Sequence, residues 1–173
     1  MRIIITGSPG TGKSIIAKKL AKLLDLELID IKKIVKKKGI STEVDIKKLA
    51  SALKFLKKKN NYIVEGHLAC ETKLPADYIF VLRTHPNILK KRLKKRKYGK
   101  KKLEENLMAE MLDYCTQRVE QVYGKKPLEL DTANKTPEKS VLEIKNAIKQ
   151  KKKKLDSVNY SKELKNYLKL KNE

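Results

Sequence analysis

Residues Gly7-Ser8-Pro9-Gly10-Thr11-Gly12-Lys13-Ser14 follow directly on the β-branched run Arg2 to Thr6 and lead into an amphipathic stretch from Ser14 to Leu24. Few local patterns restrict a fold as much. A turn of the form G-x-x-x-x-G-K-[ST] bends so that successive N–H groups point inward, and the helix behind it adds its positive N-terminal end; together they cradle an anion. The strand in front and the helix behind are both present, so the motif predicts binding of a nucleoside triphosphate. Lys13 is then expected to bridge the β- and γ-phosphates, and the Ser14 hydroxyl to ligate Mg²⁺.

Downstream the alternation continues. Glu27 to Ile29 reads as a short strand, Ile31 to Lys38 as a Lys-rich helix, and Asp45 to Lys59 as a second helix with Ile46, Leu49, Leu53 and Leu56 three or four apart. Tyr62 to Glu65 and Tyr78 to Leu82 are nearly continuous apolar runs, which suit parallel strands covered on both faces. Pro86 opens a helix to about Lys95, with His85 at its entry, and a long helix is predicted from Leu103 to Tyr123, stopped by Gly124. Leu128 to Leu130 is the last strand. Thr136 and Pro137 open another helix, residues 150–157 read as a solvated hinge, and a terminal helix fits Lys162 to Leu170. Five strands alternating with helices predict an α/β three-layer domain with a mainly parallel sheet, whose ligands gather at the carboxyl ends of the strands.

Composition removes several classes. The 173 residues suffice for one domain with a full core, and 40% hydrophobic content argues against wholesale disorder. No apolar run approaches the about 20 residues of a membrane span, and the N-terminal run is too short for a signal peptide, so a cytoplasmic protein without membrane contact is expected. Cys70 and Cys115 lack zinc-site spacing and are predicted to be buried thiols. The net charge of +23 invites an anionic partner such as nucleic acid or the ribosome, although a Lys-rich proteome also produces such a value.

Glu65 ends its strand, Gly66 permits a tight exit, and His67 follows two residues on. A carboxylate there suits the water shell of the metal, and a neutral imidazole can position a water or accept its proton. Only five of the 43 basic residues are Arg. A planar guanidinium grips phosphate oxygens bidentately where Lys does not, so Arg83, Arg92 and Arg96 carry information. Arg92 and Arg96, four apart, share a helical face, and Arg83 at a strand end is expected to meet the acceptor phosphate.

The runs Ile4 to Ser14, Ile63-Val64-Glu65-Gly66-His67, Val81-Leu82-Arg83-Thr84, Arg92-Leu93 through Arg96-Lys97-Tyr98, and Lys102 to Asn106 with Ala109-Glu110 resemble the adenylate kinase 6 type, an archaeal and eukaryotic adenylate kinase-like ATPase of small ribosomal subunit assembly. The resemblance extends from about Ile3 to Leu142. It implies a P-loop nucleoside monophosphate (NMP) kinase fold with a mainly parallel five-stranded sheet over residues 1–173. An NMP-binding segment falls at about 30–52, a short lid at about 95–105, and a Lys-rich C-terminal extension at about 150–173. It implies Lys13, Glu65, His67 and Arg96 as catalytic residues. ATP would meet Gly10, Gly12, Lys13, Ser14, Ile15, Arg96 and Lys135, the last following Asn134. Asp30, Arg83 and Arg92 would lie on the NMP and phosphate side, and Ser14 and Glu65 on Mg²⁺, the latter through water. The family often has Asp at position 65 and reads Arg-Gly-Tyr in the lid, where Arg96-Lys97-Tyr98-Gly99 displaces the glycine.

The expected activity is an NMP kinase converting ATP and AMP to two ADP, with broad NMP acceptance and ATPase activity. The resemblance adds late maturation of the small ribosomal subunit and its rRNA, with small-subunit ribosomal protein eleven and the pre-ribosomal particle as partners of a monomer. Alternatives are a P-loop kinase of another small metabolite, and an ATPase switch with little kinase role. A GTPase is disfavoured because Asn134-Lys135-Thr136-Pro137 lacks the aspartate of the guanine-reading motif.

Overall fold

The structure, a computed structural model, describes residues 1–40 and 45–172. Five strands, β1 (Arg2–Thr6), β2 (Glu27–Asp30), β3 (Tyr62–Glu65), β4 (Tyr78–Arg83) and β5 (Leu128–Asp131), form one sheet in the order β2-β3-β1-β4-β5. All four pairings are parallel, with Ile5 opposite Glu65 and Thr6 opposite Val81. From β1 the chain builds outward to β3 and β2 on one side and to β4 and β5 on the other. The carboxyl end of β1 is therefore the point where strand order reverses, the place where open α/β sheets leave a crevice.

Apolar runs as continuous as Ile3-Ile4-Ile5 need cover on both faces, and they have it. On one face Ile3, Ile5, Phe80 and Leu82 pack against Ile16 and Leu20 of α1 (Lys13–Leu24) and Ile144 of α7 (Pro137–Lys149). On the other, Ile4, Val64, Ile79 and Val81 meet Ile31 of α2 (Ile31–Lys37), Leu49 of α3 (Ile46–Ala52) and Cys115 and Val119 of α6 (Tyr114–Tyr123). A third cluster lies beyond the sheet. There Leu89 and Leu93 of α4 (Pro86–Lys95) meet Leu103, Leu107 and Met111 of α5 (Lys100–Met111), and Tyr160 closes them from the segment leading into α8 (Ser161–Asn172). Both cysteines are buried and free, and no helix among the described residues is long and apolar enough to cross a membrane.

Three expectations are corrected. The helix predicted over 45–59 ends at Ala52 and gives way to a 3-10 turn, Lys54–Lys58. The long helix predicted over 103–123 is two helices, because Asp113 adopts φ 54°, ψ 28° between α5 and α6. Asp is one of the few non-glycine residues that enter the left-handed region readily, and its carboxylate is taken by Arg83. The hinge expected at 150–157 is solvated only in part. Lys151 to Lys154 are exposed, but Asp156 N–H donates to Glu129 O at 3.1 Å and its carboxylate accepts Asp131 N–H at 2.8 Å, which ties the extension to β5.

Candidate active site

The glycine-rich loop sits at the carboxyl end of β1, pressed against β4. Gly7 has φ +135°, and a Cβ there would lie 2.3 Å from Leu82 O, so no other residue fits. Thr11 closes the loop by donating its hydroxyl to Ser8 O at 2.9 Å. The loop is also held from outside. Ser8 Oγ donates to Glu110 Oε2 at 2.5 Å, Thr132 Oγ1 lies 2.9 Å from Thr11 O, and Arg92 donates to Gly10 O at 3.3 Å and Thr132 O at 3.0 Å. Lys13 Nζ lies under the loop, donating to Gly7 O at 2.8 Å and Ser8 O at 2.9 Å. Burial lowers the pKa of that ammonium, against the pull of Cys115, Glu65 and Glu110.

β3 runs beside β1 and delivers Glu65 to the same edge, where Oε1 accepts the Ser14 hydroxyl at 3.0 Å. Burial raises the Glu65 carboxyl pKa, Ser14 opposes this, and Asp30 adds to it. The chain leaves β3 through Gly66 at φ +151°, packed on Ile31, into the 3-10 turn His67–Cys70. His67 keeps an exposed edge toward the cavity. The enclosing walls and the charges of Lys13, Lys102 and Lys32 lower its pKa to about 4, so the imidazole is neutral near pH 7. Ser14 and Glu65 form a hard oxygen pair of the kind that Mg²⁺ accepts when phosphates and waters complete its shell. Among the described residues no group of three or more His, Cys, Asp or Glu could hold a metal by itself.

Two cavities open on either side of the loop. The larger, about 620 Å³, is lined by Lys13, Ser14, Glu65 and His67, by Asp30, Ile31, Lys32, Val35 and Lys36 of the β2–α2 segment, by Ile40 and Leu68, and by Arg96, Tyr98, Lys102 and Asn106. The smaller, about 340 Å³, is lined by Gly10, Gly12, Ile15, Arg92, Arg96, Thr132, Lys135 and Pro137 among others. Arg96, exposed at the end of α4, borders both cavities. It takes part in none of the ion pairs found among the described residues.

Most residues singled out from the sequence thus converge. Gly10, Gly12, Lys13, Ser14, Ile15, Asp30, Glu65, His67, Arg92, Arg96 and Lys135 all border one cavity or the other. Asp30 also caps α2, accepting Lys33 N–H at 3.2 Å. Lys135 is held by Glu143 at 2.6 Å and Asp156 at 3.0 Å. Burial works against its charge, and these two carboxylates prevail and raise its pKa.

Arg83 is the exception. It is 1% exposed and borders neither cavity. Its five N–H groups go to Glu110 Oε1, Glu110 O, Asp113, Glu129 and Thr116, which leaves no donor for an acceptor phosphate. Burial opposes its charge, and Glu110 leads the carboxylates that push the pKa upward regardless. Sequence reasoning gave no role to Glu110 and Thr132, which hold the loop, or to Lys32, Lys36 and Lys102, which line the larger cavity. Glu110 did carry a signal: a carboxylate between Leu107 and Met111 on the buried side of a helix needs partners.

Comparison with known proteins shows the family of the chain. A family profile described as "AAA domain" matches residues 3–113. A protein of Methanocaldococcus jannaschii described as "Putative adenylate kinase" is 40% identical over 98% of both chains. One of Pyrococcus abyssi with the same description is 39% identical over 86% of this chain and 84% of its own. Among solved structures, shikimate kinase from Acinetobacter baumannii in complex with shikimate superposes with a TM-score of 0.67 at 16% identity, covering 87% of this chain and 94% of that one. Deoxyadenosine kinase from M. mycoides with bound dATP does so with a TM-score of 0.58 at 20% identity, covering 86% and 100%.

Proposed function

Because the chain belongs to the archaeal adenylate kinase family of these relatives, we propose that it is a phosphotransferase moving the γ-phosphoryl group of ATP onto AMP, giving two ADP. The observation that carries this reading is the pair of cavities meeting at Gly10, Gly12 and Ile15 of the glycine-rich loop, with Lys13 on the larger and Arg96 on the wall of both. A donor nucleotide in the smaller cavity and an acceptor in the larger one would bring their phosphates together over the loop. Positioning supplies most of what phosphoryl transfer requires.

In this reading a phosphate oxygen of AMP attacks the γ-phosphorus, and the bond to the β–γ bridging oxygen breaks. Lys13 exchanges its contacts with Gly7 O and Ser8 O for the donor's phosphate oxygens. Arg96 places a guanidinium on the charge that builds up between the two nucleotides. Ser14 directly, and Glu65 through water, would hold Mg²⁺, which when bound neutralises charge on the phosphates. Ile31, Val35, Ile40 and Leu68 offer a base an apolar bed that grips by area rather than by edge, hence broad NMP acceptance. Residues 30–52 act as the NMP-binding segment and 95–105 as the lid of a cytoplasmic monomer; positions 41–44 lie outside the described residues.

A second activity is favoured by His67. A neutral imidazole beside Glu65 can take the proton of a water attacking the γ-phosphorus when no acceptor is present. ATP hydrolysis of this kind suits a release step in late maturation of the small ribosomal subunit, with small-subunit ribosomal protein eleven as the docking partner and the +23 charge favouring an RNA-rich particle.

A coupled assay of ADP formation with ATP alone and with ATP plus AMP tests the kinase reading. The expected outcome is a rate at least tenfold higher with AMP, abolished in Lys13→Ala. Equal rates with and without AMP would reduce the activity to hydrolysis, or to transfer onto another metabolite.

A further inference from the structure

The acceptor of a nucleotide kinase brings a phosphate dianion, and the arginines that the sequence offers for it are engaged elsewhere. Arg83 spends every donor on buried partners. Arg92 supports the loop through Gly10 O and Thr132 O and borders only the smaller cavity. Arg96 is shared between the two sides. The cations that border the larger cavity outside the loop, and that one alone, are Lys32 and Lys36 on α2 and Lys102 on α5.

These three approach from opposite walls. Lys32 and Lys36 are four residues apart and share a face of α2. Lys102 Nζ lies 5.6 Å from the centre of the Tyr98 ring, which steadies it on the cavity wall. None of the three takes part in an ion pair found among the described residues. Asp30 and Glu65 border the same cavity, but no carboxylate among the described residues pairs with these three lysines; like charges on facing walls repel one another, and an anion entering between them relieves that cost. Lys32 and Lys102 both act on the imidazole of His67, so their fields overlap at the floor of the cavity.

Resting on the kinase reading above, we propose that the acceptor phosphate is seated over His67 between Lys102 of α5 and Lys32 and Lys36 of α2. The site thus takes a phosphate monoester through mobile ammonium groups in place of a fixed guanidinium fork. A Lys grips phosphate as a point charge without bidentate geometry, so the phosphate's share of the affinity should fall steeply with salt.

The test is calorimetric titration of AMP and of adenosine into the full-length protein and its Lys102→Met and Lys102→Arg variants, with ATP titrated in parallel. Lys102 is exposed, and folding of each variant is checked by its thermal midpoint. The wild-type chain is expected to prefer AMP over adenosine by at least tenfold. Lys102→Met should cut AMP affinity at least tenfold and shift adenosine less than twofold, and Lys102→Arg should restore most of the loss. AMP affinity unchanged in Lys102→Met, or ATP affinity reduced as much as that of AMP, overturns the proposal while leaving the kinase reading intact. A wild-type chain that binds ATP yet shows no preference for AMP over adenosine overturns both.

Discussion

His67 faces three ammonium groups, and its low pKa has a consequence for stability as well as for chemistry. Between the native value of about 4 and the ordinary 6.5, the unfolded chain binds a proton at this imidazole and the folded chain does not. Stability therefore falls as pH drops through this window, and the contribution vanishes above it, where both states are neutral. Melting curves of wild type and His67→Gln at pH 7.5 and pH 5 check this. The wild type should lose more of its midpoint on acidification than the variant, and parallel losses would mean that the imidazole titrates normally. Arg83 marks the limit of sequence reading at this scale. Its place at a strand end pointed to the ligand edge, but alternation along β4 puts it on the same side as Ile79 and Val81, the face covered by α6. The carboxylates that claim it come from positions 110, 113 and 129, each more than 25 residues from Arg83 in sequence, and only the fold brings them to it.

At the level of elements, the turn after α4 resolves the displaced glycine of the proposed lid. Tyr98 N–H reaches back to Leu93 O at 3.3 Å and Lys97 N–H to Lys94 O at 2.9 Å, the bond pattern of a Schellman stop whose penultimate position is left-handed. Lys97 holds that position at φ 57°. The backbone path of a glycine is kept by a residue that enters it at a cost of about 1 kcal/mol. Lys97→Gly should raise the unfolding free energy by roughly 0.5–1 kcal/mol, measured by urea denaturation with an unchanged m-value; a loss of stability would mean that the lysine side chain holds the turn. The strands and the ends of most helices were legible because apolar runs, Pro86, Thr136 and Gly124 speak locally. The break at Asp113 was not, because the apolar spacing of Leu107, Met111, Cys115 and Val119 continues smoothly across it. The break is set by the grip of Arg83 on the Asp113 carboxylate, a contact made only in the folded chain.

Over the whole molecule, the C-terminal extension behaves as a clasp. Asp156 ties it to β5, and Tyr160, 6% exposed, seals the cluster between α4 and α5, with the Arg83 guanidinium 5.2 Å from its ring. Val158, Leu164 and Tyr167 pack around it. Removing residues 158–173 should uncover Leu103, Leu107 and Met111. This would cost about 4 kcal/mol, which lowers Tm by roughly 10 °C at this chain length. Circular dichroism melting reads this directly, and an unchanged midpoint would mean that the extension adds nothing to the core. The net charge, prominent in the sequence, is spread over helix faces and organises little of this. Information about the site sits instead in a few polar side chains at strand ends and along α5.

That helix joins the two halves of the site mechanically. Its far end is fixed where Glu110 accepts the Ser8 hydroxyl, the Arg83 Nε–H and the Thr84 N–H, while its near end carries Lys102 and Asn106 into the larger cavity. Eight residues of helix separate Lys102 from Glu110, a lever arm of about 12 Å. A tilt of about 20° about the anchored end sweeps the lysine through about 4 Å, the span of a phosphate group. The glycine-rich loop is fastened at the anchored end of that arm, so such a tilt would leave its Ser8 contact in place.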